Sequence, residues 1–348
     1  MRKNLILIFI FIILFSCQEE ITLDLPKAET KLVVEGAIEN GFPAYVILSK
    51  NQGYFETIDA NTYNSLFVTD AIVTITRDDN ISHELTLINE SIINQIELLL
   101  DTIINIPPNT IYIDLEELLN PSNFSIANRS YTLDILWQNK LITANTTIPE
   151  PTPLDCLWVE QDLNLGPEQD YKCDIRAIYS DPVEQQNNIL IKSKRIQHFE
   201  RDDTLKCELI NNPDLTLKLV DSGSDILING QTFETYFPRP RDGGFPSGKY
   251  NSKHYKKCDN GNDSTLCHED IVLIKFCQID EPSMKFWRGL SRQAGTNGNP
   301  FAEPMNLVSN VTNGLGIFTG YGSVYYKVPI VKDTSIFEQY SPQIIDIF

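Results

Sequence analysis

The sequence predicts a mainly β protein, in which an N-terminal immunoglobulin-like β-sandwich is followed by a second β-rich domain with a short helix. Three observations support this fold class. Short segments that alternate apolar and polar residues recur between turn signals. A proline-rich stretch interrupts them near residue 150. Six of the seven cysteines follow that stretch, so the two regions differ in composition.

The first predicted domain covers residues 30–148. Its segment 32–38 is followed by the turn pair Asn40-Gly41 and by a second apolar segment at 44–49. Short strands joined by tight turns are typical of an immunoglobulin-like sandwich. We assign 92–100, which has the composition of a helix, to a strand-rich insertion. Further strands are predicted at 71–76, 84–88, 130–137 and 141–147.

The segment 148–153 (IPEPTP) predicts a stiff linker, because prolines cannot donate ladder hydrogen bonds. The second domain is therefore placed at 149–348. One helix is expected after Asp280, a suitable N-cap residue, with Pro282 in its first turn. The predicted strands are 171–179, 188–196, 215–220, 225–228 and 270–278.

The N-terminus has the pattern of an export signal. Arg2 and Lys3 precede an apolar run from Leu5 to Phe15 that is too short to span a bilayer. Ser16 then precedes Cys17, which resembles the bacterial lipobox, where a diacylglycerol is attached to the cysteine thiol. We expect a signal peptide at 1–16 and a lipid-anchored tether at 17–29. The alternative is an ordinary signal peptide in which Cys17 is incidental.

The residues after this cysteine resemble a second sorting signal. Gln18, Glu19 and Glu20 resemble the acidic signal that sends lipoproteins of Bacteroidota to the outer face of the outer membrane. We therefore expect the chain to be lipid-anchored in the outer membrane and to face the cell exterior. The alternative is a tether that is merely solvated.

The net charge of −19 argues against nucleic acid and against anionic headgroups as partners. The lipid, rather than charge, would hold the protein at the membrane.

Six cysteines remain after the anchor, and an even number in an exported chain favours disulfides. Spacing alone does not decide the connectivity. Cys258 and Cys267 flank 259–263, which we interpret as a hairpin tip, and they are our first choice of pair. The disulfide candidates are Cys156, Cys173, Cys207, Cys258, Cys267 and Cys277.

No metal or cofactor site is predicted. His254 and His268 lie near three cysteines, but neither a C-x-x-C nor an H-x-x-x-H pair occurs. The acidic loop 259–263 has Gly261 where an EF-hand needs a ligand. A nucleophile elbow, a phosphate-binding loop and an H-E-x-x-H motif are all absent from the sequence. We therefore expect a protein that is not an enzyme, with no catalytic residues.

Three short motifs resemble the O-glycosylation sites of exported Bacteroidota proteins, in which Asp precedes Ser or Thr and then an apolar residue or Thr. They place candidate sites at Thr102, Thr204 and Ser264.

The segment 235–245 combines aromatic side chains with two arginines, which are conspicuous in so acidic a chain. Aromatic residues and arginine are frequent interface anchors. The alternative, which we favour slightly, is that Tyr236 and Phe237 end a core strand while the arginines are solvated. The segment is still the first to test, and its candidate partner contacts are Tyr236, Phe237, Arg239 and Arg241.

The C-terminal sequences GNPFAEP (298–304) and SNVTNGLGIFTGY (309–321) are distinctive. With 32–38, with DGGFPSGK (242–249) and with the lipobox, they resemble the Bacteroidota lipoprotein family catalogued as domain of unknown function 4249. The family has no established activity, so no catalytic residues carry over. From the residues themselves, Asn313-Gly314 and Gly316 permit a tight turn, which we interpret as a structural corner that closes the second domain.

Genes of that family commonly neighbour TonB-dependent outer-membrane receptors, which implies an accessory role. The sequence thus leads us to expect a non-catalytic partner of such a receptor that captures ligand or caps the extracellular mouth. The first alternative is a structural subunit of a larger outer-membrane assembly without a ligand. The second is a surface hydrolase. The ligand is not identified by the sequence.

Overall fold

A computed structural model of the chain describes residues 29–52, 59, 63, 65–100, 107–161, 173–183, 187–198, 217–224, 226, 229–237, 257–260, 263–266, 269–295, 306–329 and 338–341. The chain divides into two compact units, Met1–Thr30 with Gln52–Thr57 and Lys31–Asn51 with Ile58–Phe348. The second unit contains every helix and strand given below. The predicted signal peptide, Cys17 and residues 18–20 lie outside the described residues.

The mainly β fold is confirmed. The strands are β1 (Leu32–Glu39), β2 (Tyr45–Lys50), β3 (Ile72–Arg77), β4 (Ser82–Leu87), β5 (Ile111–Ile113), β6 (Arg129–Trp137), β7 (Lys140–Ile148), β8 (Cys156–Gln161), β9 (Cys173–Ser180), β10 (Asn188–His198), β11 (Lys218–Ser224), β12 (Thr232–Phe237), β13 (Lys257–Asn260), β14 (Asp263–Leu266), β15 (Glu269–Ile279), β16 (Val311–Thr312), β17 (Leu315–Pro329) and β18 (Glu338–Tyr340). The helices are α1 (Glu90–Leu100), α2 (Leu115–Leu119) and α3 (Glu281–Gly295).

The helix expected after Asp280 is confirmed as α3. The Asp280 carboxylate accepts a hydrogen bond from the Ser283 backbone N–H at 2.9 Å, which satisfies one of the free donors at the helix N-terminus. The assignment of 92–100 to strand was wrong, because these residues form most of α1. The Asn89 side chain caps this helix at Ile92 N, and its apolar residues pack against β5.

In the described part of the chain, most strands join one 13-stranded sheet in the order β11-β10-β15-β17-β1-β2-β5-β4-β3-β6-β7-β16, with β18 paired to β17. The sheet folds over itself, because alternate residues of β1 and β2 share one hydrophobic core with those of β3, β6 and β7. This sandwich-like arrangement forms the first core. A smaller sheet has the order β12-β9-β8, and β13 pairs with β14 as a hairpin.

The C-terminal corner closes the first core rather than the second region, which corrects our expectation. Strand β16 pairs with β7, while β17 runs parallel to β1 from Val33↔Leu315 to Glu39↔Tyr321. The Asn310 side chain supports the corner, since it donates to Phe318 O at 2.7 Å and accepts from Phe318 N at 2.9 Å. The first core therefore depends on residues near the C-terminus.

The second core lies between the small sheet and the strands β10, β15 and β17 of the large sheet. Helix α3 covers the opposite face of those strands, where it packs on Cys277 and Tyr321. Both cores belong to one compact unit, so the predicted domain boundary at 148/149 does not coincide with the division of the chain.

The predicted linker is tied down along its length. Thr152 N donates to the Gln278 side chain at 2.8 Å, and Leu154 N donates to the Tyr326 hydroxyl at 2.7 Å. The backbone also lies directly against β17, because a Cβ on Gly322 would lie 2.2 Å from Pro149 O. This segment therefore packs as part of the fold.

Gly320 allows the closest approach of β17 to β7. A Cβ at this position would lie 2.2 Å from Thr147 O, and its three nearest atoms are all backbone atoms of Thr147 and Ile148, which have little room to adjust. We expect Gly320→Ala to lower the free energy of unfolding by about 1–3 kcal/mol or more, as overpacking does. Urea denaturation of the purified protein measures this.

The matched control is Gly223→Ala in β11, where an added Cβ meets no atom within 4 Å. The free energy of unfolding of this control should differ from that of the wild type by no more than ~0.5 kcal/mol. Equal urea midpoints for the two variants would show that the contact between β17 and β7 is not as close as described.

Candidate functional site

The outer face of the small sheet carries a row of three large side chains. Tyr236 of β12 is directly opposite Arg176 of β9, and Arg176 is directly opposite Trp158 of β8. Their sequence neighbours Leu157, Ile175 and Phe237 are buried in the second core. Since side chains alternate along a strand, the three residues of the Trp–Arg–Tyr row face away from that core.

This row has the composition of a binding surface. Tyr236 is 58% exposed, and Trp158 and Arg176 are partly exposed. The Arg176 guanidinium donates to Glu234 on the neighbouring strand at 3.0 Å, which orients it along the sheet. Ile178 and Cys156 are opposite each other on the same face, two residues along their strands from Arg176 and Trp158. Tryptophan, tyrosine and arginine are the residue types that contribute most to binding energy at interfaces.

The contacts predicted from the sequence fall in different environments. Tyr236 lies on the exposed face, whereas Phe237 is 1% exposed and belongs to the second core. Arg239 and Arg241 lie outside the described residues. The core interpretation was therefore right for Phe237 and wrong for Tyr236. Sequence analysis missed Trp158 and Arg176, although both stand at alternating positions between buried apolar residues.

A buried ionic cluster lies beneath α3, on the opposite side of the large sheet from the second core. The Lys275 ammonium is 2.5 Å from the Glu39 carboxylate, and both side chains are buried. Lys275 also lies 4.2 Å from the centre of the Tyr321 ring. Lys192 lies 4.2 Å from the centre of the Trp287 ring of α3. These cation–π contacts compensate part of the cost of removing the charges from water.

Burial sets the protonation of this cluster. Together with the neighbouring Lys275 ammonium, it lowers the pKa of Lys192 from 10.5 to about 8. Burial also raises the pKa of the Cys277 thiol to about 12, so the thiol is protonated at neutral pH and a poor nucleophile. The Tyr321 hydroxyl likewise has a pKa well above its ordinary value because it is buried. We interpret the cluster as structural, because it joins β1, β10, β15, β17 and α3.

A family model described as a domain of unknown function (DUF4249) matches residues 18–326. The chain belongs to this family. The DUF4249 match includes the Trp–Arg–Tyr row, the buried ionic cluster, the first core and all of the second core except Val328. A comparison with curated proteins gives no match.

In this DUF4249 protein, two of the six cysteines predicted to form disulfides are free thiols, namely Cys156 and Cys277. Cys277 lies beneath α3, where its thiol donates to Leu190 O at 3.1 Å. Cys156 lies on the outer face of the small sheet, so the second core separates the two.

The hairpin predicted at 259–263 is confirmed as β13–β14, in which Cys258 is opposite Thr265. Pairing of Cys173, Cys207, Cys258 and Cys267 concerns side chains outside the described residues and stays a prediction.

Among the described residues there is no group of three or more His, Cys, Asp or Glu side chains that could hold a metal ion. His83 is part of a structural contact, because its Nδ1 lies 2.7 Å from Asp114 and its ring stacks on Phe124 at 3.9 Å. Burial raises the pKa of Asp114, which also accepts a hydrogen bond from Glu117 N at the start of α2.

The predicted O-glycosylation sites stay predictions. Thr102 and Thr204 lie outside the described residues, and only the backbone of Ser264 is described, in β14. In the part of the chain that the structure describes, no helix is long and apolar enough to cross a membrane.

The lowered pKa of Lys192 makes stability depend on pH. Between about pH 8 and 10.5 the unfolded chain binds more protons at this lysine than the folded chain does, so the wild type gains stability as the pH rises. We expect the free energy of unfolding of Lys192→Met, relative to that of the wild type, to be highest at pH 7. This difference should shrink toward pH 10, because the wild type gains stability over that range. Urea denaturation at a series of pH values measures the difference.

Lys285→Met controls for the loss of one positive charge, because Lys285 lies on the exposed side of α3. A difference between Lys192→Met and wild type that stays constant from pH 7 to pH 10 would contradict the prediction.

Proposed function

We propose that the protein is a surface-exposed, lipid-anchored outer-membrane protein that acts as a non-catalytic accessory partner of a TonB-dependent receptor. It would capture ligand for the receptor or cap the receptor's extracellular mouth. The Trp–Arg–Tyr row carries this proposal, because it presents interface anchors to solvent on a paired sheet. The resemblance of the sequence around Cys17 to a lipobox supports the proposed location, and the gene neighbourhood implied by the family resemblance supports the proposed kind of partner.

The row suits protein recognition for a physical reason. Its three strands are held in fixed register by backbone hydrogen bonds, so the backbone loses little conformational entropy when a partner covers the row. Large aromatic side chains bury much apolar area, while an arginine can form hydrogen bonds with carbonyl and carboxylate groups. The Arg176–Glu234 ion pair is partly exposed, with side-chain exposures of 35% and 52%, and such a pair contributes little to folding.

A second exposed surface favours the alternative, a structural subunit of a larger outer-membrane assembly. Ile72, Leu136 and Leu141 lie in direct register across β3, β6 and β7, with exposed fractions of 52%, 45% and 52%. This aliphatic row faces away from the first core. A subunit inside an assembly touches more than one neighbour, and the chain presents two separate surfaces of suitable composition.

The Trp–Arg–Tyr row is tested by Tyr236→Ala and by Trp158→Ala. We expect each variant to bind the adjacent receptor at least about tenfold more weakly, since truncated interface anchors cost around 2 kcal/mol. Co-purification from detergent-solubilised outer membranes measures the complex, and the melting temperature verifies folding. Arg239→Ala with Arg241→Ala tests the neighbouring segment in the same assay.

The matched control is Leu136→Ser with Leu141→Ser, which changes the aliphatic row alone. If this control loses the receptor while Tyr236→Ala and Trp158→Ala retain it, the contact lies on the aliphatic row. A ligand-dependent rise in melting temperature separates a ligand-capturing partner from a purely structural subunit.

The lipid anchor is tested by Cys17→Ser. We expect this variant to remain unprocessed or to be free in the periplasm, because the thiol that receives the diacylglycerol is gone. Fractionation and labelling with a fatty acid measure this, and label on the variant would contradict the proposal.

Replacement of Gln18, Glu19 and Glu20 by alanine keeps the lipid but should remove sensitivity to external protease on intact cells.

A further inference from the structure

A cavity of about 150 Å³ lies between the small sheet and the large sheet, on the side where β12 and β11 are the outer strands. Its walls are mainly aromatic and aliphatic. Phe276 lies on β15, Tyr179 on β9 and Phe233 on β12, while β10 contributes Ile189 and Ile191. The cavity is separate from the Trp–Arg–Tyr row, which lies on the opposite face of β9 and β12.

The cavity exists because β11 has no side chain at the position that would fill it. Gly223 is directly opposite Ile189, so a side chain there would point to the same side as Ile189 and into the cavity. A Cβ built on Gly223 meets no atom within 4 Å, and its φ angle lies outside the left-handed region. The backbone therefore does not require glycine here. The glycine leaves space instead, as glycines in strands often do where a ligand approaches.

The mouth of the cavity carries a carboxylate. Asp221 is on β11, two residues before Gly223 and on the same side of the strand, and it also lines the cavity. One carboxylate oxygen accepts a hydrogen bond from Ser222 N at 2.7 Å, and the residue is exposed to solvent. An acidic mouth above aromatic walls attracts cations, and the net charge of −19 raises the concentration of cations around the whole chain.

We propose that this cavity binds a small organic cation, in which an aryl or branched alkyl body fills the apolar walls and an ammonium group pairs with Asp221. The size supports an aryl group, because an apolar cavity of ~150 Å³ is large enough to hold benzene. The aromatic walls are held in place by two T-shaped ring pairs. The centre of the Tyr179 ring lies 5.7 Å from the centre of the Phe233 ring and 5.2 Å from that of Phe276. This binding requires neither the receptor nor the Trp–Arg–Tyr row.

The test uses benzylammonium as the probe, with benzyl alcohol and phenylacetate as the neutral and anionic analogues. Isothermal titration of the purified full chain at pH 7 measures the affinity of each. We expect saturable binding of benzylammonium, weaker binding of benzyl alcohol and the weakest binding of phenylacetate. Asp221→Asn should bind benzylammonium about tenfold more weakly while its affinity for benzyl alcohol stays nearly the same.

Gly223→Leu fills the cavity without a backbone clash and should abolish binding of all three probes at an unchanged or raised melting temperature. Asp155→Asn, an exposed carboxylate before β8, is the matched control and should bind as wild type does. The proposal is overturned if wild type fails to saturate with benzylammonium, if Gly223→Leu binds it as wild type does, or if phenylacetate binds as tightly as benzylammonium.

Discussion

The parallel pairing of β17 with β1 is the interaction on which the rest of the structure depends. Phe318 of this strand fills the first core, Tyr321 packs under α3, and Tyr326 and Val328 belong to the second core. A single extended segment is therefore shared by both cores and by the helix. Because backbone hydrogen bonds fix its register along its length, neither core can shift against the other without breaking that ladder.

The buried charges under α3 reinforce the same junction. The Lys275–Glu39 pair joins β15 to β1 across β17, and replacing only one member would leave the other charge buried without its partner. Such a pair contributes little net stability compared with an apolar pair of the same size. Its physical effect is on specificity, since a register in which β1 slipped by one residue along β17 would move Glu39 to the other face of the sheet.

Local patterns in the sequence were sufficient for β1 to β4, β6 and β7 around the first core, for the hairpin tip at 259–263 and for α3, but not for the short strands β5 and β16. The segment 92–100 was misassigned because a short apolar run fits a buried strand and a helix equally well. The pairing of β1 with β17 was not predictable, since nothing local in either segment identifies a partner almost 300 residues away. The Trp–Arg–Tyr row was missed for the same reason, because Trp158, Arg176 and Tyr236 become neighbours only when β8, β9 and β12 pair. The cavity at Gly223 depends on packing between layers, which periodicity does not report.

The sequence separation of the two paired strands has a further consequence. Residues 40–314 lie between β1 and β17, so β1 keeps an open edge until β17 pairs with it. Contacts at such long sequence separation slow folding, and an unpaired edge strand is a template for wrong pairing. A chain that stops before residue 315 would keep most of its apolar core residues yet lack the strand that closes them, and we expect it to aggregate rather than fold as a shorter domain.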